Sequence, residues 1–349
     1  MKTVTLGKTG ITAVQNGFGA LPIQRADVDT AVKILRKAYE GGMRFFDTAR
    51  AYSDSEYKIG LAFGDGWLNR EDIIITTKTQ AKTPEKLLAD LEESLKNLKT
   101  DYIDVYQFHL ASQVYAPGDG TGMYEVMLKA KEEGKIRHIG ITAHKVGVAR
   151  DAIESGLYET LQFPLSYISA DVDIDLVRMC KEHNMGYIAM KGLAGGLINK
   201  SKPAMAFMSQ FDNVMPIWGI QKEKELDEWL EFMDIPVELD EETKAFIEKE
   251  KEELSGEFCR GCGYCMPCPM GIKINNCARM IQMIRRAPSA SWLSEENQAE
   301  MMKSETCLHC GQCMSKCPYE LNTPELLEKN LIDYKKILSG EINVNYNAE

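Results

Sequence analysis

The chain has 349 residues, 44% hydrophobic and 27% charged, enough for one large domain and a small one. Its net charge of −11 argues against nucleic acid or an anionic membrane as the main partner, because phosphates would be repelled. No apolar run approaches the ~20 residues of a bilayer span, and MKTVTLGKTG lacks a signal peptide's apolar core, so the expectation is a cytoplasmic protein without membrane insertion.

KTVTLGKTGITAV reads as an opening hairpin, and eight apolar runs follow it in order. They are NGFGAL, MRFFDTA, IIITTKT, IDVYQFHL, IRHIGITA, TLQFPLS, MGYIAMK and VMPIWGI. Between them lie helically spaced stretches such as DTAVKILRKAYEGG, EKLLADLEESLKNLK, EVMLKAKEEGK and EKELDEWLEFMD. In the second of these, Leu87, Leu88, Leu91, Leu95 and Leu98 recur at three- and four-residue steps, which predicts one buried helix face. Glycines at 41–42, 134 and 156 mark helix ends before the next strand. Wholly apolar strands, each followed by a helix, predict a parallel sheet, and eight such units predict an α/β fold of the (β/α)8 TIM-barrel type over residues 1–235. From Pro236 the composition shifts: 236–256 reads as one charged connecting helix ended by Gly256, and 257–349 as a separate cysteine-bearing domain.

In such barrels the chemistry sits where strands end and βα loops begin. Strand two ends in Asp47, with Tyr52 in the loop beyond it; strand three ends at Lys78 and strand four at His109. Singly, each has a structural explanation: a cap, a half-buried aromatic, a loop charge, a core histidine. Together they form a chemical set. A buried ammonium beside a phenol favours the phenolate and lowers its pKa, and the ammonium in turn needs a carboxylate to tolerate burial. A neutral imidazole could orient a carbonyl oxygen. The implied reaction is proton donation to a carbonyl oxygen as hydride reaches its carbon.

With GKTG, NGFGA, FDTARAYSDSE, TTKT, QFHL, HIGIT, LQFPLS and GLAGGL in this order and spacing, the chain resembles the aldo-keto reductases from about residue 3 to 230. The resemblance implies a small carbonyl or alcohol substrate and a nicotinamide cofactor, NAD(H) or NADP(H), extended across the barrel mouth. It makes Tyr52 the general acid, Lys78 and Asp47 its tuning pair, and His109 the carbonyl ligand. Carried over by position, Thr142 and Gln162 hold the carboxamide, Lys191, Leu193 and Gly195 line the pyrophosphate, and Gly219, Gln221 and Lys222 lie near the adenosine; Gly19 in NGFGA joins this cofactor set. Three positions depart from the family pattern. Ala143, followed by His144, replaces a carboxamide-binding asparagine; Glu225 stands where an arginine or glutamine often faces a 2′-phosphate; Trp229 replaces an adenine-contacting asparagine. Glu225 leans the expectation towards NAD, with Lys222 as the counter-argument.

Nine of the ten cysteines lie in the last 91 residues, and only Cys180, in an amphipathic stretch, precedes them. Reducing conditions disfavour a disulfide framework there. Cys259, Cys262, Cys265 and Cys268 precede Pro269, and Cys307, Cys310, Cys313 and Cys317 precede Pro318. Three cysteines at three-residue steps with a fourth before proline form the bacterial ferredoxin pattern, in which the fourth cysteine ligates the other cluster. The assignment is two [4Fe–4S] clusters: Cys259, Cys262, Cys265 and Cys317 on one, Cys307, Cys310, Cys313 and Cys268 on the other. Zinc is the alternative for paired C-x-x-C motifs, and Cys277 is left over as a buried thiol or substitute ligand. The tail, with GCGYCMPCP, resembles the ferredoxin-type extension of one branch of the aldo-keto reductases.

Hydride transfer moves two electrons and a cluster takes one. A flavin would bridge them, yet the sequence has no flavin fingerprint. The readings are an oxidoreductase whose clusters serve structure or exchange electrons with a carrier such as ferredoxin, a cluster-fed reductase without hydride transfer, and a non-enzymatic redox-sensing partner.

Overall fold

A computed structural model describes residues 2–344 apart from 236, 255–257, 260, 262, 264, 287, 288, 318 and 320. The predicted ligand Cys262, together with Pro236, Gly256 and Pro318, lies outside the described residues. The chain divides into two units, one of residues 1–192 and 201–243, the other of 193–200 and 244–349. The division falls inside the helix at Glu241–Glu253 rather than at its ends, and it assigns the 193–200 loop to the second unit.

In the first unit, β1 (Thr3–Thr5) and β2 (Thr12–Val14) form the expected hairpin. The closed barrel runs through β3 (Gly17–Gly19), β4 (Phe45–Asp47), β5 (Ile74–Thr79), β6 (Ile103–Phe108), β7 (Ile136–Thr142), β8 (Thr160–Pro164), β9 (Gly186–Met190) and β10 (Val214–Gly219), with β10 pairing back to β3. All eight predicted runs are strands, and every barrel pairing is parallel. The intervening helices are α1 (Val28–Glu40), α2 (Ser55–Phe63), α3 (Pro84–Leu98), α4 (Met123–Glu132), α5 (Val146–Ser155), α6 (Asp171–Glu182), α7 (Ser201–Ser209) and α8 (Glu223–Asp234).

Helix α3 shows how local signals set an element. Thr83 caps its first turn by accepting from the Lys86 amide, Pro84 occupies the first turn, and Leu87, Leu91, Leu95 and Leu98 are buried. Leu88 departs from the expected face: it is 45% exposed, because five leucines at these steps span more arc than the sheet covers. The helix ends at Lys99, which adopts the left-handed conformation (φ 50°) without glycine. Gly156, at φ 67°, ends α5 as predicted.

The connector reads as helix only over α9 (Glu241–Glu253), so the expected helix begins later than residue 236. In the second unit, the elements are α10 (Ile274–Cys277), α11 (Met280–Arg286), α12 (Ser289–Trp292), α13 (Glu295–Met302), α14 (Gln312–Ser315) and α15 (Thr323–Leu338). Its core gathers Ile272, Ile281, Met301, Leu327 and Tyr334 around Cys259, Cys265 and Cys313. Buried Asn330 ties α11 to α15 by accepting from the Ile281 amide at 3.0 Å and donating to the Leu326 carbonyl at 2.8 Å. Among the described residues no helix is long and apolar enough to cross a membrane.

Candidate active site and metal centre

Strand periodicity sorts the polar residues of β5. Alternate side chains point to opposite faces, so Thr77 and Thr79 reach the surrounding helices, bonding Glu56 at 2.7 Å and Asp90 at 2.5 Å. Thr76 and Lys78 point the other way and both meet Asp47, at 2.6 Å on Oδ1 and 2.7 Å on Oδ2. Lys78 also donates to the Thr48 carbonyl at 2.5 Å. Asp47 and Lys78 are almost completely buried, so each charge depends on the other. Gln162 adds a longer contact to Asp47 at 3.4 Å and accepts from Gln107 at 2.9 Å.

Tyr52 stands over this pair. The Lys78 ammonium lies 5.0 Å from its ring centroid, and the His109 ring meets it edge-on with centroids 5.6 Å apart. The four residues expected at the rim are therefore assembled in one place. The tyrosine's electrostatics differ from the sequence expectation. Burial raises its pKa more than the Lys78 charge lowers it, and Asp47 adds to the rise, so the group is held above an ordinary phenol and keeps its proton at neutral pH. Burial alone would lower Lys78, but Asp47 and Tyr52 together hold it above the ordinary lysine value. His109 is pushed down to about 3 by burial, then by the charges of Lys78 and His144, and is neutral. Its Nδ1 is buried without a hydrogen-bond partner among the described residues. His144 is likewise held at about 3 by burial and by Lys191, so it too is neutral.

The loop that carries Tyr52 is pinned by residues to which the sequence assigned no role. Thr48 donates to Ser55 at 2.8 Å, and Ser55 donates to the Ala20 carbonyl at 2.9 Å. Buried Glu56 receives Arg50 at 2.7 Å as well as Thr77. Lys58, 1% exposed, donates to the Ala26 carbonyl at 2.7 Å and pairs with Asp54 at 2.9 Å. The FDTARAYSDSE motif contains most of these residues and the Thr48–Ser55 and Arg50–Glu56 pairs, while Ala20, Ala26, Lys58 and Thr77 lie outside it.

Among the residues assigned to a cofactor, Gly19 and Gly219 are register partners at adjacent strand ends. Packing accounts for both: a Cβ on Gly19 would lie 3.0 Å from the Trp218 carbonyl oxygen and one on Gly219 3.0 Å from Pro22 Cγ. Thr142 accepts from the Leu110 amide at 2.8 Å, which leaves its hydroxyl proton to donate. Gln162 uses both ends of its amide inside the barrel, so it serves Asp47 in this structure. Lys191 is exposed at φ 58°, while Leu193 and Gly195 belong to the second unit's loop. Gln221 and Lys222 precede α8, and both of their amides donate to Glu225 Oε2, at 2.8 and 3.0 Å. Trp229 is buried and stacks on Trp218 with centroids 3.9 Å apart, which makes it core packing rather than an adenine contact. The donor left on Thr142 suits a nicotinamide carboxamide, while Gln162 and the amides of Gln221 and Lys222 are engaged within the protein.

In the second unit, a small recess is lined by Cys268, Cys307, Cys310, Cys313 and Cys265. The first four are the predicted ligands of one cluster, with the fourth cysteine of one motif joining three of the other. Gln312 next to it donates to the Pro267 carbonyl at 3.2 Å and so links the two motifs. Cys259 is buried and its sulfur accepts from the Gly261 amide at 3.4 Å, while Cys317 is half-buried. Thiols are the donors an iron–sulfur cluster takes, while among the described residues no three of them converge on a single metal ion. Cys277 is buried, donates to the Glu300 carbonyl at 3.6 Å, and is pushed up to about 11 by burial, as a core thiol is. Cys180 is wholly buried and its pKa is raised by burial.

Residues 13–214 match the Aldo/keto reductase family, more than half of the chain. The chain belongs to the aldo/keto reductase family. Residues 258–322 of this reductase also match a 4Fe-4S dicluster domain. It is 29% identical over 214 residues to the L-galactose dehydrogenase of Arabidopsis thaliana, covering 57% of this chain and 67% of that protein. It is 36% identical over 130 residues to the methylglyoxal reductase DkgB of Salmonella typhi, covering 36% of this chain and 47% of that one, about half its length. Aldo-keto reductase AKR11C1 from Bacillus halodurans superposes with a TM-score of 0.62 at 21% identity, over 72% of this chain and 96% of that one. The Klebsiella pneumoniae aldo-keto reductase, solved with NADPH, gives 0.59 at 22% identity over 71% and 94%. At these identities the structural likeness establishes the fold.

Proposed function

We propose that this reductase is a nicotinamide-dependent enzyme that interconverts a small carbonyl compound and its alcohol, and that its tail holds two [4Fe–4S] clusters. The observation that carries the reading is the buried Lys78 joined to Asp47 under a Tyr52 phenol, with a neutral His109 edge-on to the same ring. The relatives named for L-galactose and methylglyoxal support a small carbonyl or alcohol as substrate class.

When bound, the nicotinamide supplies or accepts the hydride. Tyr52 hands its phenolic proton to the carbonyl oxygen, and Lys78 steadies the phenolate left behind. Asp47 keeps that lysine charged and fixed. His109, neutral, has one N–H to orient the same oxygen, and Thr142 donates to the carboxamide.

Cys268, Cys307, Cys310 and Cys313 would hold one cluster and Cys259, Cys262, Cys265 and Cys317 the other, and the clusters would supply single-electron exchange with an external carrier such as ferredoxin. Cys310 is exposed, and the neighbouring Leu308 is 64% and Met314 41% exposed, so a partner could reach this edge of the tail.

The pH dependence tests the active-site assignment. Reduction of methylglyoxal by NADH should be flat between pH 5 and 8, because His109 titrates only near 3 and Tyr52, held above an ordinary phenol by burial, keeps its proton throughout. Alcohol oxidation needs the phenolate, so its rate should rise about tenfold per pH unit over the same range. Steady-state absorbance of the nicotinamide reads both directions. An inflection near pH 6–7 in the reduction profile would assign the proton to a histidine instead.

NAD is the preferred dinucleotide in this reading. The Glu225 carboxylate already occupies the two amides ahead of α8 and would repel a 2′-phosphate. Glu225→Gln should improve the KM ratio of NADPH to NADH about tenfold, ~1.4 kcal/mol, within the range of one Coulomb contact. Its cost is a weaker cap, on the order of 1 kcal/mol. An unchanged ratio in the steady-state kinetics would remove Glu225 from dinucleotide selection.

A further inference from the structure

Arg279 stands between two glycines of the second unit. A Cβ built on Gly195 would lie 3.0 Å from its Nη1, and one built on Gly261 would lie 2.7 Å from its Cζ. Both glycines have positive φ, 67° and 68°, so side chains are disfavoured there on two counts. The guanidinium therefore lies against bare backbone on both sides. Its Nε is buried with no hydrogen-bond partner among the described residues, an uncommon state for a group with five donors. The Gly261 amide on which the guanidinium lies donates to the Cys259 sulfur at 3.4 Å, which brings the cation close to a predicted cluster ligand. The same loop packs on α11 a turn further along, where a Cβ on Gly196 would meet Met283 at 3.3 Å.

These contacts put Arg279 between two places that would be anionic when filled: a cluster held by Cys259, whose negative charge would grow by one on reduction, and a diphosphate on the 193–200 loop. We propose that Arg279 is shared between that cluster and a dinucleotide diphosphate on the 193–200 loop, so that nucleotide binding and cluster reduction oppose each other. The proposal rests on the nicotinamide reading above. A cation beside the cluster favours the reduced state and raises its potential. A diphosphate that draws on the same guanidinium removes part of that effect. By linkage the opposition is reciprocal: an electron added to the cluster must weaken nucleotide binding by the same factor that the nucleotide disfavours reduction.

The test is a dithionite titration of the anaerobically purified full chain, followed by EPR, with and without ADP-ribose, which carries the diphosphate but no nicotinamide. The electron comes from dithionite in every arm. In the wild type, ADP-ribose should lower the midpoint of one of the two clusters by ~59 mV, the one-electron equivalent of a tenfold coupling. Calorimetry should show the matching tenfold weaker ADP-ribose binding to the reduced protein. Arg279→Gln should lower the same midpoint without ligand and abolish its response to ADP-ribose, and Arg279→Lys should fall between the two. Iron and sulfide contents establish that each variant is loaded, and the lysine variant carries the test if the glutamine variant is not. ADP-ribose that binds yet leaves both midpoints unmoved would overturn the coupling. Equal midpoints in wild type and both variants would overturn the role of the charge. Failure of ADP-ribose to bind the wild type would overturn the nicotinamide reading and the coupling with it, while the ligand-free midpoints would still judge the arginine's effect on the cluster.

Discussion

Replacing Tyr52 with phenylalanine is expected to lower kcat for carbonyl reduction by roughly 100- to 10,000-fold, the usual weight of a general acid, while NADH binding stays at the wild-type level. The phenylalanine ring keeps the edge contact with His109 and the place above Lys78, so the change removes the hydroxyl and little else. The hydroxyl is the atom the site is built around. Lys78 and Asp47 are buried beneath it and their hydrogen bonds lead up to it. Two measurements on one sample decide the matter: steady-state turnover with methylglyoxal, and NADH fluorescence on titration. Loss of turnover with retained binding supports proton donation by Tyr52. Turnover that survives the substitution would mean that the chemistry does not pass through this phenol. A wild type that binds NADH but turns over no carbonyl compound would favour the sensor reading.

The barrel was legible in the sequence because its strands are buried on both faces. A strand such as IDVYQF carries apolar character throughout, and the eight runs stand out without help from tertiary structure. The same feature explains the error at Leu88. Helical spacing tells which residues share a side of α3, but the edge of the buried arc depends on the sheet beneath, which the helix's own sequence does not contain. Polar contacts at the site divide in the same way. That Asp47, Lys78 and His109 end their strands is local information. That Gln162 turns inward to Asp47 spans 115 residues, and that Glu56 anchors Thr77 depends on the pleat of β5. The direction of the Tyr52 shift also needed the structure, since a lysine neighbour and burial act in opposite senses and only their balance matters. The cysteine motifs offer candidate ligands by spacing alone. The recess that gathers Cys268 with Cys307, Cys310 and Cys313 adds a relation that no single motif contains.

The largest stability effect is expected at the Asp47–Lys78 pair. Asp47→Asn leaves a buried ammonium with a carbonyl and a phenol for company, and Lys78→Met leaves a buried carboxylate with Thr76 as its nearest donor. Each single change should cost about 3–5 kcal/mol, because a lone charge in the interior loses its hydration without compensation. For a domain of this size that corresponds to a fall in Tm of roughly 6–20 °C. The double variant should be less destabilised than the sum of the two, and less than either single variant if the neutral pair packs well, since no charge is then left to solvate. Thermal unfolding followed by far-UV circular dichroism on the four proteins completes the cycle. Additive losses would show that the two groups contribute independently and that the 2.7 Å contact is not what holds them. All three variants should also lose carbonyl reduction, including a double variant that regains stability. The fold needs only that the charges cancel, whereas Tyr52 needs the ammonium itself to hold the phenolate formed when its proton leaves.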